Sequence, residues 1–259
     1  MLASEKHYRA RITARWDVSP DLWRIRVDPG DRFSFLPGQY ATLGVEKDAR
    51  HAERPYSLVS SPREKELEFF FELVPEGETT PPLYNLYPGD ELLLRKTAKG
   101  RFTLETAQPG RANHLLLSTV TGIAPFVSYA RTLFRDWNEG KFSGPHKLFL
   151  LAAASRSWEF GYRDELEKLA AAVPWFKCAF TVSRPWEDKS WQGEVGRVED
   201  LLRKYADHWD CASVNSVAYL CGHPQMIENV KGILKRVGFQ KENLKEEVYW
   251  VPARVAAGA

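Results

Sequence analysis

The sequence predicts a two-domain fold, an N-terminal antiparallel β-barrel followed by an α/β parallel-sheet nucleotide-binding domain. Three observations lead there. The chain has 259 residues, of which 44% are hydrophobic, enough for two compact domains with sizeable cores. Up to about residue 108 the pattern is period-two and turn-rich. Beyond it, apolar runs of strand length alternate with amphipathic helical segments. The domains are placed at 1–108 and 109–259, across the linker AQPGRAN, with a C-terminal extension at 250–259.

The first half opens with YRARITARW and LWRIRV, which alternate polar and apolar residues as half-buried strands do. QYATLGV, RPYSLVSS, LEFFFELV and ELLLRK follow, separated by FLPGQ, SSPRE, PEGETTPP and YPGDE. Short strands at such close spacing suit a small antiparallel barrel, interrupted by one short helix near Pro81–Leu86. In the second half, LLLST, KLFLLAAAS, KCAFTVSR and SVAYLCG are buried-strand runs. The segments between them are helical. Phe126, Ala130, Leu133 and Phe134 fall on one face, as do Tyr162, Leu166, Leu169 and Val173. PQMIENVKGILKRVG starts at Pro224 and stops at Gly238, with Ile227, Val230, Leu234 and Val237 as its apolar face. A last strand, KEEVYWV, precedes a tail of small residues.

The totals exclude several classes. A net charge of +2, with acids and bases mixed, argues against a nucleic-acid binder relying on bulk charge. No apolar run approaches the ~20 residues of a membrane span. The N-terminal segment lacks the apolar middle of a signal peptide. Cys178, Cys211 and Cys221 show no metal-ligand pairing, and three thiols cannot hold a four-cysteine cluster. A cytoplasmic protein, monomeric and without a metal, is expected.

Two turns can carry chemistry. LLLST–VTGIAPF and VAYL–CGHPQMI each end a strand, pass a Gly and enter a helix at a Pro. Helix N-termini in such turns attract anions, a pyrophosphate among them. Val120 stands where a phosphate turn usually has its first Gly. A β-branched residue disfavours positive φ, so this turn is expected to pass Val120 through ordinary β or αR dihedrals. RPYS offers a third element: Arg54 has a fork for phosphate, Tyr56 points to the same side of a strand, and Ser57 has a hydroxyl. On that tetrapeptide alone, a surface strand with an exposed Arg and a packed Tyr is the preferred reading.

Taken together, FLPGQY, RPYSLVSSP, GETTPPL, TVTGIAPF, ASRSWEFGYRDEL, VSR, CGHPQMI and EEVYW run in order over nearly the whole chain. In this the sequence resembles the ferredoxin/flavodoxin–NADP reductase family, FAD flavoproteins of plant and bacterial type. The resemblance implies an FAD-binding barrel and an NADP-binding α/β domain. It implies electron exchange between NADP(H) and a carrier protein, ferredoxin or flavodoxin, by hydride transfer between nicotinamide C4 and flavin N5.

The resemblance also assigns residues. Arg54, in the segment Arg54-Pro55-Tyr56-Ser57, would pair with the FAD pyrophosphate, Tyr56 would lie on the isoalloxazine, and Ser57 would reach N5. Thr80 matches a pyrophosphate contact. Thr121 and Gly122 would line the NADP pyrophosphate groove. Cys221, followed by Gly222, would sit beside the nicotinamide; as a buried small residue it has an equally simple explanation. Arg156, Ser183 and Arg184 lie where a ribose 2′-phosphate would arrive. Glu247 and Tyr249 match a Glu-Val-Tyr whose ring covers the flavin, and alternation puts both on one side with Val248 away. Trp250 would stack on the FAD adenine, unless Tyr249 and Trp250 simply end an edge strand. Ser57, Cys221, Glu247 and Tyr249 form the expected catalytic set.

Two alternatives accompany this reading: a reductase component supplying an oxygenase, and a binding module on the same scaffold that has lost FAD. Arg9, Arg11, Arg15, Arg24 and Arg26 have two readings, a basic docking face for an acidic carrier or simply solvated strand faces.

Overall fold

The computed structural model describes residues 6–30, 33–47, 50–104 and 110–249. The first sheet contains β1 (His7–Asp17), β2 (Leu22–Asp28), β3 (Tyr40–Lys47), β4 (Arg50–Ser57), β5 (Leu67–Glu72) and β6 (Glu91–Arg95). These antiparallel strands lie in the order β4-β3-β6-β1-β2-β5. The Val59 amide donates to the Glu68 carbonyl at 2.9 Å, which draws the two edges together into a nearly closed barrel. Period-two patterning explains the core. Along β2, Trp23, Ile25 and Val27 are buried, while Arg24 and Arg26 lean outward. The short helix α1 spans Thr80–Tyr84, slightly earlier than the sequence suggests.

Four of the five arginines named for a basic face, all but the exposed Arg11, have partners among the described residues. A register irregularity between Ile12 and Ala14 in β1 re-aims the strand beyond it. The Arg15 side chain is only 4% exposed, lying 4.8 Å from the Tyr84 ring centroid and donating to the Leu86 carbonyl at 2.9 Å. Arg24 stacks on Trp16 and Tyr162, Arg26 pairs with Glu68, and Arg9 pairs with Glu46. These cations satisfy structure rather than forming a free patch.

The second sheet is parallel throughout. It contains β7 (Asn113–Thr119), β8 (Lys147–Ala154), β9 (Phe176–Val182), β10 (Glu194–Val195), β11 (Ser216–Gly222) and β12 (Leu244–Val248), in the order β10-β9-β8-β7-β11-β12. Helices α2 (Ala124–Asn138) and α3 (Arg163–Ala172) cover one face, and α4 (Val198–His208) and α5 (Pro224–Arg236) the other. Buried strands read as unbroken apolar runs because both faces are covered. The strip β10 and helix α4 escaped the sequence reading, although Val198 and Leu202 carry a helical spacing. Val237 does not belong to the apolar face of α5: it caps the helix and is 59% exposed.

Barrel and sheet share one core. Val59, Phe70 and Phe102 pack with Phe126, Tyr129 and Tyr219 of the second half. At the seam Glu68, 1% exposed, accepts from Tyr162 Oη at 2.7 Å, Arg26 Nε at 3.0 Å and an Arg131 guanidinium nitrogen at 3.2 Å. Burial alone would raise this carboxyl; Arg131, Tyr162 and Arg26 outweigh it and hold the group below its usual range. Losing the Glu68 carboxylate would leave Arg131 its two bonds to Glu165 but orphan the buried Tyr162 hydroxyl, at a cost of about 1–3 kcal/mol.

The strand order reverses at β7. From there the chain steps outward through β8, β9 and β10, then returns to the other side of β7 as β11 and β12. Open parallel sheets bind ligands at the crevice beyond such a reversal. The carboxyl ends of β7, β11 and β12 therefore set the place of the site.

Candidate active site

The two turns at the reversal interlock. The His223 amide donates to Thr119 Oγ1 at 2.9 Å, so the exit of β11 is tied to the exit of β7. Gly222 has φ +128°, and a Cβ there would collide with Thr119 Oγ1. Gly122 faces the Cys221 carbonyl so closely that a Cβ would also collide. Both glycines are required for close approach of the two turns. Gly122 and Thr121 are buried, so Thr119 and Val120 form the more accessible part of the first turn.

Val120 corrects the expectation of ordinary dihedrals: its φ is +42°. The position begins a 3-10 turn, Val120–Ile123, that must drop Gly122 onto β11 before α2 starts. That tertiary requirement overrides the local preference of a β-branched residue, at a strain of order 1–3 kcal/mol. The α2 N-cap, Ile123, supplies no side-chain hydrogen bond, whereas His223 Nδ1 caps α5 by accepting from the Gln225 amide at 3.1 Å.

β12 pairs with β11 in parallel, setting Glu247 beside Cys221. Glu247 turns inward and Val248 is 52% exposed, as alternation along a strand requires. The Tyr249 amide continues the pairing by donating to the Gly222 carbonyl at 3.1 Å. Ser57, at the end of β4 and 5% exposed, projects from the barrel toward the same spot. The Tyr249 hydroxyl donates to Ser57 Oγ at 2.9 Å, and the Ser57 hydroxyl donates to Glu247 Oε1. Three of the expected catalytic residues thus form one chain of hydrogen bonds.

Cys221 lies at the end of β11, fully buried in the core against which Tyr249 packs. Burial first, then the Glu247 charge, push its thiol well above the usual range, so it is a neutral packing group and not a thiolate nucleophile. Burial likewise raises the Glu247 carboxyl, with the Ser57 hydrogen bond opposing it, and raises the Tyr249 phenol. Tyr129, absent from the sequence reading, backs the site from α2, its hydroxyl held by the Phe102 carbonyl.

Upstream on β4, Arg54 is exposed; it reaches the Glu53 carbonyl at 2.9 Å and Glu78 at 3.4 Å. Pro55 pairs with Thr42 of β3. Tyr56 packs edge-on against Phe71, with centroids 4.8 Å apart, and burial raises its phenol. The Thr80 hydroxyl is engaged by the Val74 amide at 3.0 Å and carbonyl at 3.2 Å. Its neighbour Thr79 has a buried hydroxyl without a protein partner. That orphaned polar atom and the loosely held Arg54 fit a cradle for a phosphorylated group on this side of the barrel. Trp250 lies outside the described residues.

At the opposite end of the sheet edge, Arg156 and Arg184 each follow a strand by two residues. The strands run side by side, and the Ser183 amide donates to the Ala154 carbonyl at 3.0 Å, so the two exits are zipped together. Both arginines already hold carboxylates. Arg156 pairs with Glu159 at 3.0 Å and with Glu187, and Arg184 with Glu187 at 3.5 Å. Sequence reasoning missed both acids; PWE immediately after the arginine was the available signal.

No helix among the described residues is long and apolar enough to cross a membrane, and no cluster of three or more of their His, Cys, Asp and Glu side chains is arranged to hold a metal ion.

Comparison with known proteins agrees with this architecture. Residues 116–232 match the family model described as an oxidoreductase NAD-binding domain. The chain is 30% identical over 244 residues to a ferredoxin–NADP reductase of Pseudomonas aeruginosa, covering 90% of this chain and 91% of that one. It is 29% identical to the reductase component of a naphthalene 1,2-dioxygenase system of Pseudomonas putida, over 93% of this chain and 69% of that one. Among solved structures, a ferredoxin NADP+ reductase from Neisseria gonorrhoeae with bound FAD and NADP superposes with a TM-score of 0.82 at 22% identity, covering 95% and 100% of the two chains.

Proposed function

The chain belongs to the ferredoxin/flavodoxin–NADP reductase family, and from that premise we propose that it is an FAD-dependent ferredoxin (or flavodoxin)–NADP(+) reductase. The observation that carries the reading is the chain of hydrogen bonds from Tyr249 through Ser57 to Glu247 at the strand-order reversal. It joins the end of the barrel to the end of the parallel sheet, where two nucleotide cofactors can meet.

FAD, when bound, accepts a hydride as an electron pair and releases the electrons singly, which couples NADP(H) to a one-electron carrier. The protein supplies position and charge. Arg54 would balance the pyrophosphate, assisted by Thr79 more than Thr80, whose hydroxyl is committed to Val74. Tyr56 offers a ring face, and Ser57 a hydroxyl that can donate or accept at the reacting edge. Glu247 fixes the Ser57 hydroxyl. Tyr249 is a gate: its bond to Ser57 and its packing beside Cys221 must yield before a nicotinamide approaches. That cost weakens nicotinamide binding and speeds its release. On the NADP side, Thr121, Gly122 and Gly222 shape the interlocked turns, and Arg156, Ser183 and Arg184 stand where the 2′-phosphate would lie. The enzyme acts as a two-domain monomer, with residues 1–108 holding FAD and 109–259 holding NADP.

A second reading, a reductase component supplying an oxygenase, draws on the likeness to the dioxygenase reductase. Absorption spectra before and after NADPH test the common core: a flavin spectrum bleached by NADPH supports it, and a colourless protein that refuses added FAD overturns it. Steady-state reduction of ferredoxins, flavodoxins and oxygenase components then separates the two readings.

A further inference from the structure

Glu187 sits between the two arginines assigned above to the ribose 2′-phosphate. Its carboxylate is bonded by Arg156 and approached by Arg184 at 3.5 Å. Its position is set by the backbone: the Glu187 amide donates to the Arg184 carbonyl at 3.1 Å, in the turn Pro185–Glu187. Glu159 is of another kind. It is buried, and accepts from the Ser155 and Arg156 amides at 2.8 and 3.2 Å as well as from the Arg156 guanidinium at 3.0 Å. Glu159 therefore belongs to the strand exit, whereas Glu187 occupies the gap between the guanidinium groups.

Two arginines and two carboxylates cancel. The cluster offers no net positive charge to a dianion, and a phosphate entering between the guanidinium groups must displace Glu187 or lie against it. A free ribose 2′-hydroxyl meets no such penalty and can donate to the same carboxylate. Resting on the assignment of Arg156 and Arg184 made above, we propose that Glu187 is a specificity-determining residue. It stands in for the 2′-phosphate on the arginine pair, and so lowers the preference for NADP(H) over NAD(H).

The test compares dissociation constants of NADP+ and NAD+, and of 2′,5′-ADP and 5′-ADP, for the flavin-loaded protein. Glu187→Gln keeps the size of the side chain and removes its charge; Glu187→Ala repeats the test without the amide. Both variants should tighten NADP+ and 2′,5′-ADP about tenfold, while NAD+ and 5′-ADP bind equally well or more weakly. Arg184→Ala provides the control, and should weaken the 2′-phosphorylated ligands alone. If Arg184→Ala behaves so and both Glu187 variants leave the NADP+ to NAD+ ratio unchanged, the proposal falls and the arginine assignment stands. If Arg184→Ala spares the 2′-phosphorylated ligands, the assignment falls and takes the proposal with it.

Discussion

The Tyr249 hydroxyl donates a 2.9 Å hydrogen bond to Ser57 Oγ, joining side chains 192 positions apart in the sequence. One residue ends a barrel strand and the other follows the last strand of the parallel sheet. The contact is a latch between the halves of the molecule, placed where the reacting atoms would meet.

Removing the latch should expose the gate. Tyr249→Ser is expected to tighten NADP+ binding at least about tenfold and to produce a charge-transfer band as the nicotinamide takes the vacated position. Tyr249→Phe loses the bond to Ser57 but keeps the ring, and should tighten NADP+ only slightly, about two- to threefold, without a charge-transfer band. Titration of the flavin spectrum with NADP+ reads both; a Tyr249→Ser spectrum that NADP+ leaves unaltered removes the gate.

Glu247 couples stability to function in opposite directions. Burial raises its folded-state carboxyl pKa, so its contribution to stability is fully present below the unfolded value and is lost as pH rises through the folded one. Glu247→Gln should match the native protein in thermal stability near pH 4 and exceed it near pH 8. The same change leaves Ser57 a neutral amide oxygen, a weaker acceptor than a carboxylate, and hydride transfer should slow about tenfold. Melting curves across pH and stopped-flow reduction by NADPH check the two arms.

Val120→Gly should relieve the backbone at φ +42°. The gain in strain energy, set against the entropy of a new Gly, is about 1 kcal/mol, or ~2–4 °C in Tm for a chain of this size class. NADPH should also bind more tightly, because the Val120 side chain crowds the exposed part of the turn. Calorimetry and ligand titration test these separately, and an unchanged dissociation constant would show that Val120 does not limit phosphate approach.

His114 and His146 make a buried pair with ring nitrogens 2.9 Å apart. Burial, then the neighbouring His146, push the His114 pKa down to about 3, and burial lowers that of His146. Both are held neutral in the fold, so the stability they contribute is present above the ordinary histidine value and drains away as pH falls below it. The slope approaches ~1.4 kcal/mol per pH unit for each histidine. His114→Asn should flatten this acid limb between pH 6 and 4; urea unfolding at stepped pH measures it, and an unchanged slope assigns the limb to other groups.

Much of the architecture was legible because it is written locally. Period-two runs such as LWRIRV, apolar runs such as LLLST, and Pro and Gly at the turns report which neighbours a residue meets within a few positions. The partners of the barrel arginines were not legible because outward positions on a strand do not reveal a shift in register, nor that Arg15 would meet Tyr84 across the barrel. The partner of the Thr80 hydroxyl was not legible because a hydroxyl is free only until a loop claims it.

By itself the sequence determined the two rhythms, the order of most of the elements, the two glycine-bearing turns and the family resemblance. Tertiary structure decided that Val120 takes a positive φ, that Glu187 is shared by Arg156 and Arg184, and that Ser57 meets Glu247 and Tyr249. The physical reason is range. Steric preference and hydrophobic period act over a few residues, whereas a buried charge or a strained dihedral is fixed by whichever distant segment packing brings beside it.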